Sequence, residues 1–185
     1  MTDEEIVRRV RNGETRLFEE LVVRYQDTVY GMAVRLLRVA TDAEDAAQEA
    51  FLRAFRGLDR FEGEAAFSTW LYRILYNACL DWLRKRRRRA SRSEGLDEAD
   101  GIADARVDVE ADLLAAEDRR RVRRIVDGLV EPYRRVVVLH YYRRLPYEEI
   151  AAILEVPVRT IETRLYRARR MIRRQLDRGE RRVDT

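Results

Sequence analysis

One cysteine, one histidine, three prolines and eight glycines are all that the 185 residues contain of these types. With Cys79 alone, neither an intramolecular disulfide nor a cysteine-cluster zinc site is possible. The lone His140 lies in the run Val136-Val137-Val138-Leu139-His140-Tyr141-Tyr142 and reads as structural rather than catalytic. No phosphate-cradling glycine loop and no metal-ligand cluster is present, so no cofactor, no metal and no catalytic site is expected. Apolar runs long enough to span a bilayer are also missing. The opening Met1-Thr2-Asp3-Glu4-Glu5 is acidic and lacks the apolar segment of a secretory signal. A soluble cytoplasmic protein without membrane insertion is therefore expected. With few Gly and Pro to interrupt it, a chain dominated by Arg, Glu, Leu and Ala favours helix. The apolar fraction of 46% is enough for a packed core, which excludes a disordered chain.

Charge is sorted along the sequence. Residues 1–89 carry 17 basic and 15 acidic side chains, a net of +2. Residues 90–118 carry 2 and 10, a net of −8, and residues 119–185 carry 19 and 9, a net of +10. The last third thus has the footprint of a phosphate binder. Of the 38 cations only Lys85 is lysine; arginine suits bidentate phosphate and base contacts but also follows from a GC-rich genome.

Two helical blocks flank a weak middle. Thr2-Asp3-Glu4-Glu5 is a capping-box pattern, and a helical run continues through Leu17, Leu21, Tyr25 and Val29 to Leu36. Thr41-Asp42-Ala43-Glu44 is a second such pattern, opening a helix to about Gly57. A third helix is expected over 67–86. From Ala90 to Asp112 small and acidic residues mix with glycines without an apolar period, which predicts a flexible acidic linker over 90–112. Helical periodicity resumes near Leu113 and lasts to about Leu176. The predicted fold is all-α: a domain over 1–89, the linker, and a second small domain over 113–185.

The sharpest local signal is Leu145-Pro146-Tyr147-Glu148-Glu149-Ile150-Ala151-Ala152-Ile153-Leu154, then Glu155-Val156-Pro157-Val158, then an arginine-rich helix. Pro146 suits a first helical turn, Glu148 and Glu149 complement its dipole, and Pro157 ends that helix and starts a turn. Together they predict a helix-turn-helix. In the second helix Ile161, Leu165, Ala168, Ile172 and Leu176 recur at i, i+4, i+7, i+11 and i+15, one apolar stripe. The opposite face gathers Arg159, Thr160, Thr163, Tyr166, Arg167, Arg170 and Arg174. Its first members are placed to reach base edges in a major groove and its later arginines to reach phosphates.

In the helix over 41–57 the expected buried face is Ala43, Ala47, Ala50, Phe51, Ala54 and Phe55. The other face shows Asp45, Gln48, Glu49, Leu52, Arg53 and Arg56, either a solvated surface or, with Leu52 exposed among polar groups, a protein interface. Farther on, Leu71, Leu75, Ala78 and Trp82 mark a core side, while Trp70, Arg73, Asn77, Asp81 and Arg84 form another stripe before the cluster Arg84–Arg89. Aromatics among cations and an amide suit single-stranded DNA, where bases stack on rings and cations follow the backbone. Core aromatics beside a charged helix end would give the same pattern.

Taken together, these segments resemble the extracytoplasmic-function (ECF) RNA polymerase sigma factors over almost the whole chain. The pieces are Leu21-Val22-Val23-Arg24-Tyr25-Gln26, Asp42-Ala43-Glu44-Asp45-Ala46-Ala47-Gln48-Glu49-Ala50-Phe51, Phe67-Ser68-Thr69-Trp70-Leu71-Tyr72-Arg73-Ile74 with Asn77, and Tyr147-Glu148-Glu149-Ile150-Ala151. The resemblance implies that Asp45, Gln48, Glu49, Leu52 and Arg53 grip the clamp helices of the polymerase largest subunit. It implies that Phe61, Ala65, Phe67 and Asn77 capture a flipped base of the −10 element, beside Trp70, Arg73 and Arg84. Arg159, Thr163, Tyr166 and Arg167 would read the duplex −35 element. Core RNA polymerase, promoter DNA and an anti-sigma factor are the partners it implies, with the linker threading the polymerase toward the RNA path. Glu162 stands where the family often has a basic residue and Arg159 where a small one is common, which bears on the −35 sequence preferred. Thr69 precedes Trp70 in place of a paired tryptophan, so melting would lean on base capture. A free-standing duplex-DNA regulator would also account for the helix-turn-helix, though not for the first block. An enzyme would need the catalytic groups that are missing.

Overall fold

The computed structural model describes residues 1–90 and 113–180, with side chains for 1–88 and 120–177. Almost all of the predicted linker over 90–112 lies outside the described residues. The described residues form helices and turns, with no strand among them, in two compact units within Met1–Ala103 and Asp104–Thr185.

The first unit holds α1 (Asp3–Arg11), a short 3-10 turn (Thr15–Leu17), α2 (Phe18–Leu37), α3 (Ala40–Gly57), a second 3-10 turn (Leu58–Arg60) and α4 (Phe67–Ala90). Thr2 caps α1 as its sequence predicts: the Glu5 N–H donates to Thr2 Oγ1 at 3.2 Å and the Thr2 N–H to Glu5 Oε2 at 2.9 Å. Gly13, at φ +105, supplies the left-handed turn that separates α1 from the first 3-10 turn. Asp3 then clasps α1 to α2, accepting hydrogen bonds from Arg24 and from the Tyr25 hydroxyl. Burial first, and the bond to Asp3 after it, push the Tyr25 phenol well above its ordinary pKa.

α2 and α4 both pack on α3, whose inner face is alanine: Ala43, Ala46, Ala50 and Ala54 have no accessible surface. Phe67, Leu71 and Leu75 of α4 and Leu21, Val29 and Met32 of α2 close over them, equally inaccessible. Two expectations for α3 fail. Phe51 is half-buried and Phe55 is 41% exposed, because including Ala46 turns the centre of the buried stripe away from both. The Phe55 ring packs edge-on to Phe18 at the rim, with centroids 5.1 Å apart. Thr41 does not cap: Arg38 turns left-handed (φ 65) directly after α2, so the extended residue at the helix entry is Val39 and Thr41 falls inside the first turn. On α4, Trp82 is only half-buried although placed on the core side.

The second unit holds α5 (Leu113–Asp127), α6 (Glu131–Val137), a π-turn (Val138–Tyr142), α7 (Tyr147–Leu154) and α8 (Val158–Glu180). Its core is Ile125, Leu129, Val136–Leu139, Ile150, Ile153, Ile161, Leu165 and Ala168. Pro146 sits one residue outside α7, extended at φ −66 and ψ 160, and its carbonyl accepts from the Ile150 N–H at 3.1 Å. α7 ends before Pro157 is reached: Glu155 is left-handed (φ 53, ψ 45), and its N–H donates back to the Ala151 carbonyl. Pro157 instead opens α8, its carbonyl accepting from the Thr160 N–H at 2.8 Å. No sequence pattern announces the π-turn. It is held by His140, whose Nδ1 lies 3.2 Å from the Leu145 carbonyl; a carbonyl only accepts, so Nδ1 carries the proton.

The left-handed Glu155 yields a test of the turn. A non-glycine residue there costs roughly 1–2 kcal/mol, partly offset in glycine by its greater chain entropy of about 0.5–1 kcal/mol. The expected order of thermal stability by calorimetry is Glu155→Gly, then wild type, then Glu155→Val. A valine variant as stable as wild type would mean that the turn is not held left-handed.

Candidate nucleic-acid interface

The helix-turn-helix presents α8. Ile161, Leu165 and Ala168 are buried against α6 and α7, and the predicted stripe fades at Ile172 and Leu176, which are half-buried. On the opposite side Arg159, Thr163, Arg167, Arg170 and Arg174 are exposed, and Thr160 is half-buried. Tyr166 is 61% exposed, so its ring contributes nothing to the core and is available to a ligand. The Arg170 guanidinium lies 5.9 Å from the centre of that ring, which orients both groups. Thr163 donates its hydroxyl proton to the Arg159 carbonyl at 2.9 Å and keeps its lone pairs for a donor from outside. Pro132 and Tyr133 of α6 wall a shallow recess of about 470 Å³ that opens beside Arg159, Thr163 and Arg167. Arg169 behaves differently from its neighbours: its Nε donates to the Tyr141 hydroxyl at 2.6 Å, and that bond raises its pKa. It ties α8 to the π-turn and stands apart from the ligand face.

On the first unit the structure divides the predicted −10 residues into two groups. Phe61 and Phe67 are 7% and 0% exposed. They form an aromatic nest with half-buried Trp70, at centroid distances of 5.2 Å (Phe61–Trp70), 5.8 Å (Phe67–Trp70) and 6.0 Å (Phe61–Phe67). These rings are the floor of the surface rather than its exposed part. Ala65, Arg73, Asn77 and Arg84 are exposed. Between them the loop after Phe61 turns through Gly63 (φ +76) and leaves Ala65 and Ala66 in solvent. Arg11 of α1 reaches across to donate to the Phe61 carbonyl at 3.4 Å, tying the loop's first residue to α1.

The mixed stripe of α3 is also at the surface. Asp45 and Gln48 are exposed, Leu52 is 49% exposed, and Glu49 and Arg53 are half-buried. Phe55 joins Leu52 on this side, a residue that periodicity alone assigned to the core. Arg53 Nε donates to Glu49 Oε1 at 2.8 Å and its Nη1 to Asp81 Oδ2 of α4 at 3.1 Å; Glu49 first, and Asp81 after it, raise the guanidinium pKa. Arg84 donates to the other oxygen of Asp81 at 3.4 Å.

Among the described residues no group of three or more His, Cys, Asp or Glu is arranged to hold a metal, and no helix is long and apolar enough to cross a membrane. Cys79 is buried, and burial pushes its thiol up to about 12, far from the range in which a thiolate would react.

Comparison with known proteins agrees with this geometry. The family model Sigma-70 region 2 matches residues 21–89, from within the first turn of α2 almost to the end of α4, and Sigma-70, region 4 matches residues 119–172, which take in α6, α7 and the first two thirds of α8. The chain is 37% identical over 180 residues to the RNA polymerase sigma-H factor of Pseudomonas aeruginosa, covering 94% of this chain and 93% of that one. It is 38% identical over 179 residues to the ECF RNA polymerase sigma-E factor of Escherichia coli K12, covering 93% of each. Among solved structures, CnrH in complex with the cytosolic domain of CnrY is similar at a TM-score of 0.69 and 26% identity, covering 95% of this chain and 97% of that one. The sigma factor RpoE of Bartonella quintana, solved with the anti-sigma factor NepR, shares the fold at a TM-score of 0.74 and 24% identity, over 86% and 96% of the two chains. With both sigma-70 regions in order and relatives matched almost end to end, this chain belongs to the ECF RNA polymerase sigma factor family.

Proposed function

We propose that the chain is an alternative sigma factor of the cytoplasm that binds core RNA polymerase and directs it to promoters, with no catalytic step of its own. The observation that carries this reading is the exposed face of α8, where arginines, Thr163 and Tyr166 stand opposite a buried stripe behind a helix-turn-helix. Arg159, Thr160, Thr163, Tyr166 and Arg167 read the −35 duplex through its major groove, and Arg170 and Arg174 follow the phosphates. On the first unit Ala65, Arg73, Asn77 and Arg84 line the surface that takes a flipped base of the −10 element. Phe61, Phe67 and Trp70 form the aromatic floor beneath that surface. Capture holds the opened strand by binding the unstacked base. Asp45, Gln48, Glu49, Leu52 and Arg53 form the polymerase-facing side, and the exposure of Phe55 adds a second apolar anchor to Leu52.

An anti-sigma factor completes the reading. CnrH, similar to this chain over almost its whole length, has been solved with the cytosolic domain of CnrY bound to it. A partner of that kind acts here by covering the α3 and α8 faces, so that neither polymerase nor duplex reaches them.

Run-off transcription with purified core polymerase on fragmented DNA of the source genome tests the proposal. New transcripts should depend on this protein. Arg167→Ala should weaken binding at one −35 position by about 1–3 kcal/mol, roughly five- to 160-fold. Asn77→Ala should abolish open-complex formation while leaving duplex binding intact, read by permanganate footprinting. Tight duplex binding by the protein alone, without new transcripts, would make it a free-standing regulator instead.

The apolar pair has its own check. Phe55→Ala and Leu52→Ala should each weaken polymerase binding by about 1–2 kcal/mol, as truncation of an interface anchor does; Leu52→Ala should leave thermal stability nearly unchanged, whereas Phe55→Ala should also lose about 0.5–1.5 kcal/mol with its edge-on contact to Phe18. Unchanged affinity in a competition assay for core polymerase would remove Phe55 from the interface.

A further inference from the structure

One side chain that neither face of the first unit uses connects them. Asp81 of α4 accepts from Arg53 at 3.1 Å through one oxygen and from Arg84 at 3.4 Å through the other. Arg53 in turn is shared with Glu49 at 2.8 Å. The result is an alternating chain, Glu49–Arg53–Asp81–Arg84, that begins on the side assigned to polymerase and ends on the side assigned to DNA. We infer that Asp81 is a positioning residue that holds Arg84 away from the DNA backbone until Glu49 is engaged by the polymerase. The inference rests on the function proposed above.

Competition for charge sets the direction of the effect. Arg53 divides itself between two carboxylates, so Asp81 is only partly neutralised by it and keeps an attraction for Arg84. A cationic group of a partner that pairs with Glu49 turns Arg53 wholly to Asp81 and weakens the hold on Arg84. Arg84 is the member most easily released, since its bond is the longest of the three and its side chain is 67% exposed. By linkage, a phosphate that takes Arg84 leaves Asp81 to Arg53 and frees Glu49 for the polymerase. Because Glu49, Arg53 and Asp81 are each about 40% exposed, the coupling is small, about two- to fivefold in affinity, the range of partly solvated ion pairs.

A mutant cycle on the full-length chain without polymerase tests this. The probe is a fluorescein-labelled twelve-nucleotide oligothymidylate followed by anisotropy, since phosphate contacts are independent of sequence. Asp81→Asn should raise affinity about two- to fivefold and steepen the salt dependence by up to about 0.7 in log–log slope, one added single-strand phosphate contact. Glu49→Gln, which imitates neutralisation by a partner and leaves α4 untouched, should raise affinity in the same direction. The double variant should match Asp81→Asn alone, because Glu49 acts through Asp81. Both gains should vanish in an Arg84→Ala background. Additive gains, or gains that survive Arg84→Ala, would show only a general loss of negative charge and would overturn the relay. Run-off transcription read in parallel separates the two ideas. Polymerase-dependent transcripts with additive gains leave the sigma function and remove the relay. Non-additive gains without transcripts leave the hold of Asp81 on Arg84 and overturn both its coupling to polymerase and the proposed function.

Discussion

How closely two helices approach depends on the side chains between them, with axes about 8–10 Å apart and the shorter distance reserved for small residues. Along the inner face of α3 those side chains are the methyl groups of Ala43, Ala46, Ala50 and Ala54, all inaccessible to solvent. The close packing that results decides most of what the first unit can do. It brings the polar edge of α4 within the length of an arginine from α3, which is why Arg53 reaches Asp81 at all. Phe55 lies off that face, at the rim beside Phe18, and is part of the surface. An alanine stripe of this kind contributes little burial of its own. The large apolar groups are supplied from outside it by Phe67, Leu71 and Leu75 on α4 and by Leu21 and Met32 on α2.

The second unit solves the opposite problem, holding one helix firmly by a narrow strip so that most of its circumference stays available. Ile161, Leu165 and Ala168 occupy that strip. The turn from α7 to α8 contains a left-handed Glu155 and, at the mouth of α8, Pro157, two residues of restricted geometry that set the entry of that helix. Arg169 completes the attachment through Tyr141. Neighbouring arginines on one helix therefore have separate uses. Arg169 is engaged by the protein itself, whereas Arg159, Arg167, Arg170 and Arg174 stand in solvent opposite the strip.

Much of this was legible in the sequence because helices declare themselves by period. The stripe Ile161–Leu165–Ala168, the capping box at Thr2 and the polar face of α8 all follow from spacing and residue type. What escaped depends on contacts between segments distant in sequence. Phe55 and Phe51 sit on the margin of the apolar arc of α3, where a shift of one residue in its centre moves a ring from core to rim. Thr41 satisfies a capping pattern that requires it to be extended, but the left-handed Arg38 fixes the helix entry earlier. The resemblance assigns Phe61 and Phe67 to base capture, and their burial at 7% and 0% exposure depends on packing with Trp70 that no spacing announces. The tie between Asp81 and Arg53 crosses from one helix to another over 28 residues of chain, so no pattern within either helix announces it.

The contrast in charge between the two units bears on the order in which promoter contacts form. Residues 119–185 carry a net of +10, whereas residues 1–89 carry +2, with part of their cationic charge committed to Glu49 and Asp81. Attraction between phosphates and a strongly cationic face reaches across a Debye length of about 8 Å at physiological salt. Stacking and amide contacts to a flipped base act only at touching distance, and only after the base has left the duplex. On the function proposed above, this contrast has the −35 duplex met by long-range attraction first and the −10 strand engaged second. The cations of the first unit are gathered instead at residues 84–89, six in succession, whereas residues 1–83 carry 11 basic and 15 acidic side chains, so its own attraction for phosphate is concentrated at the end of α4.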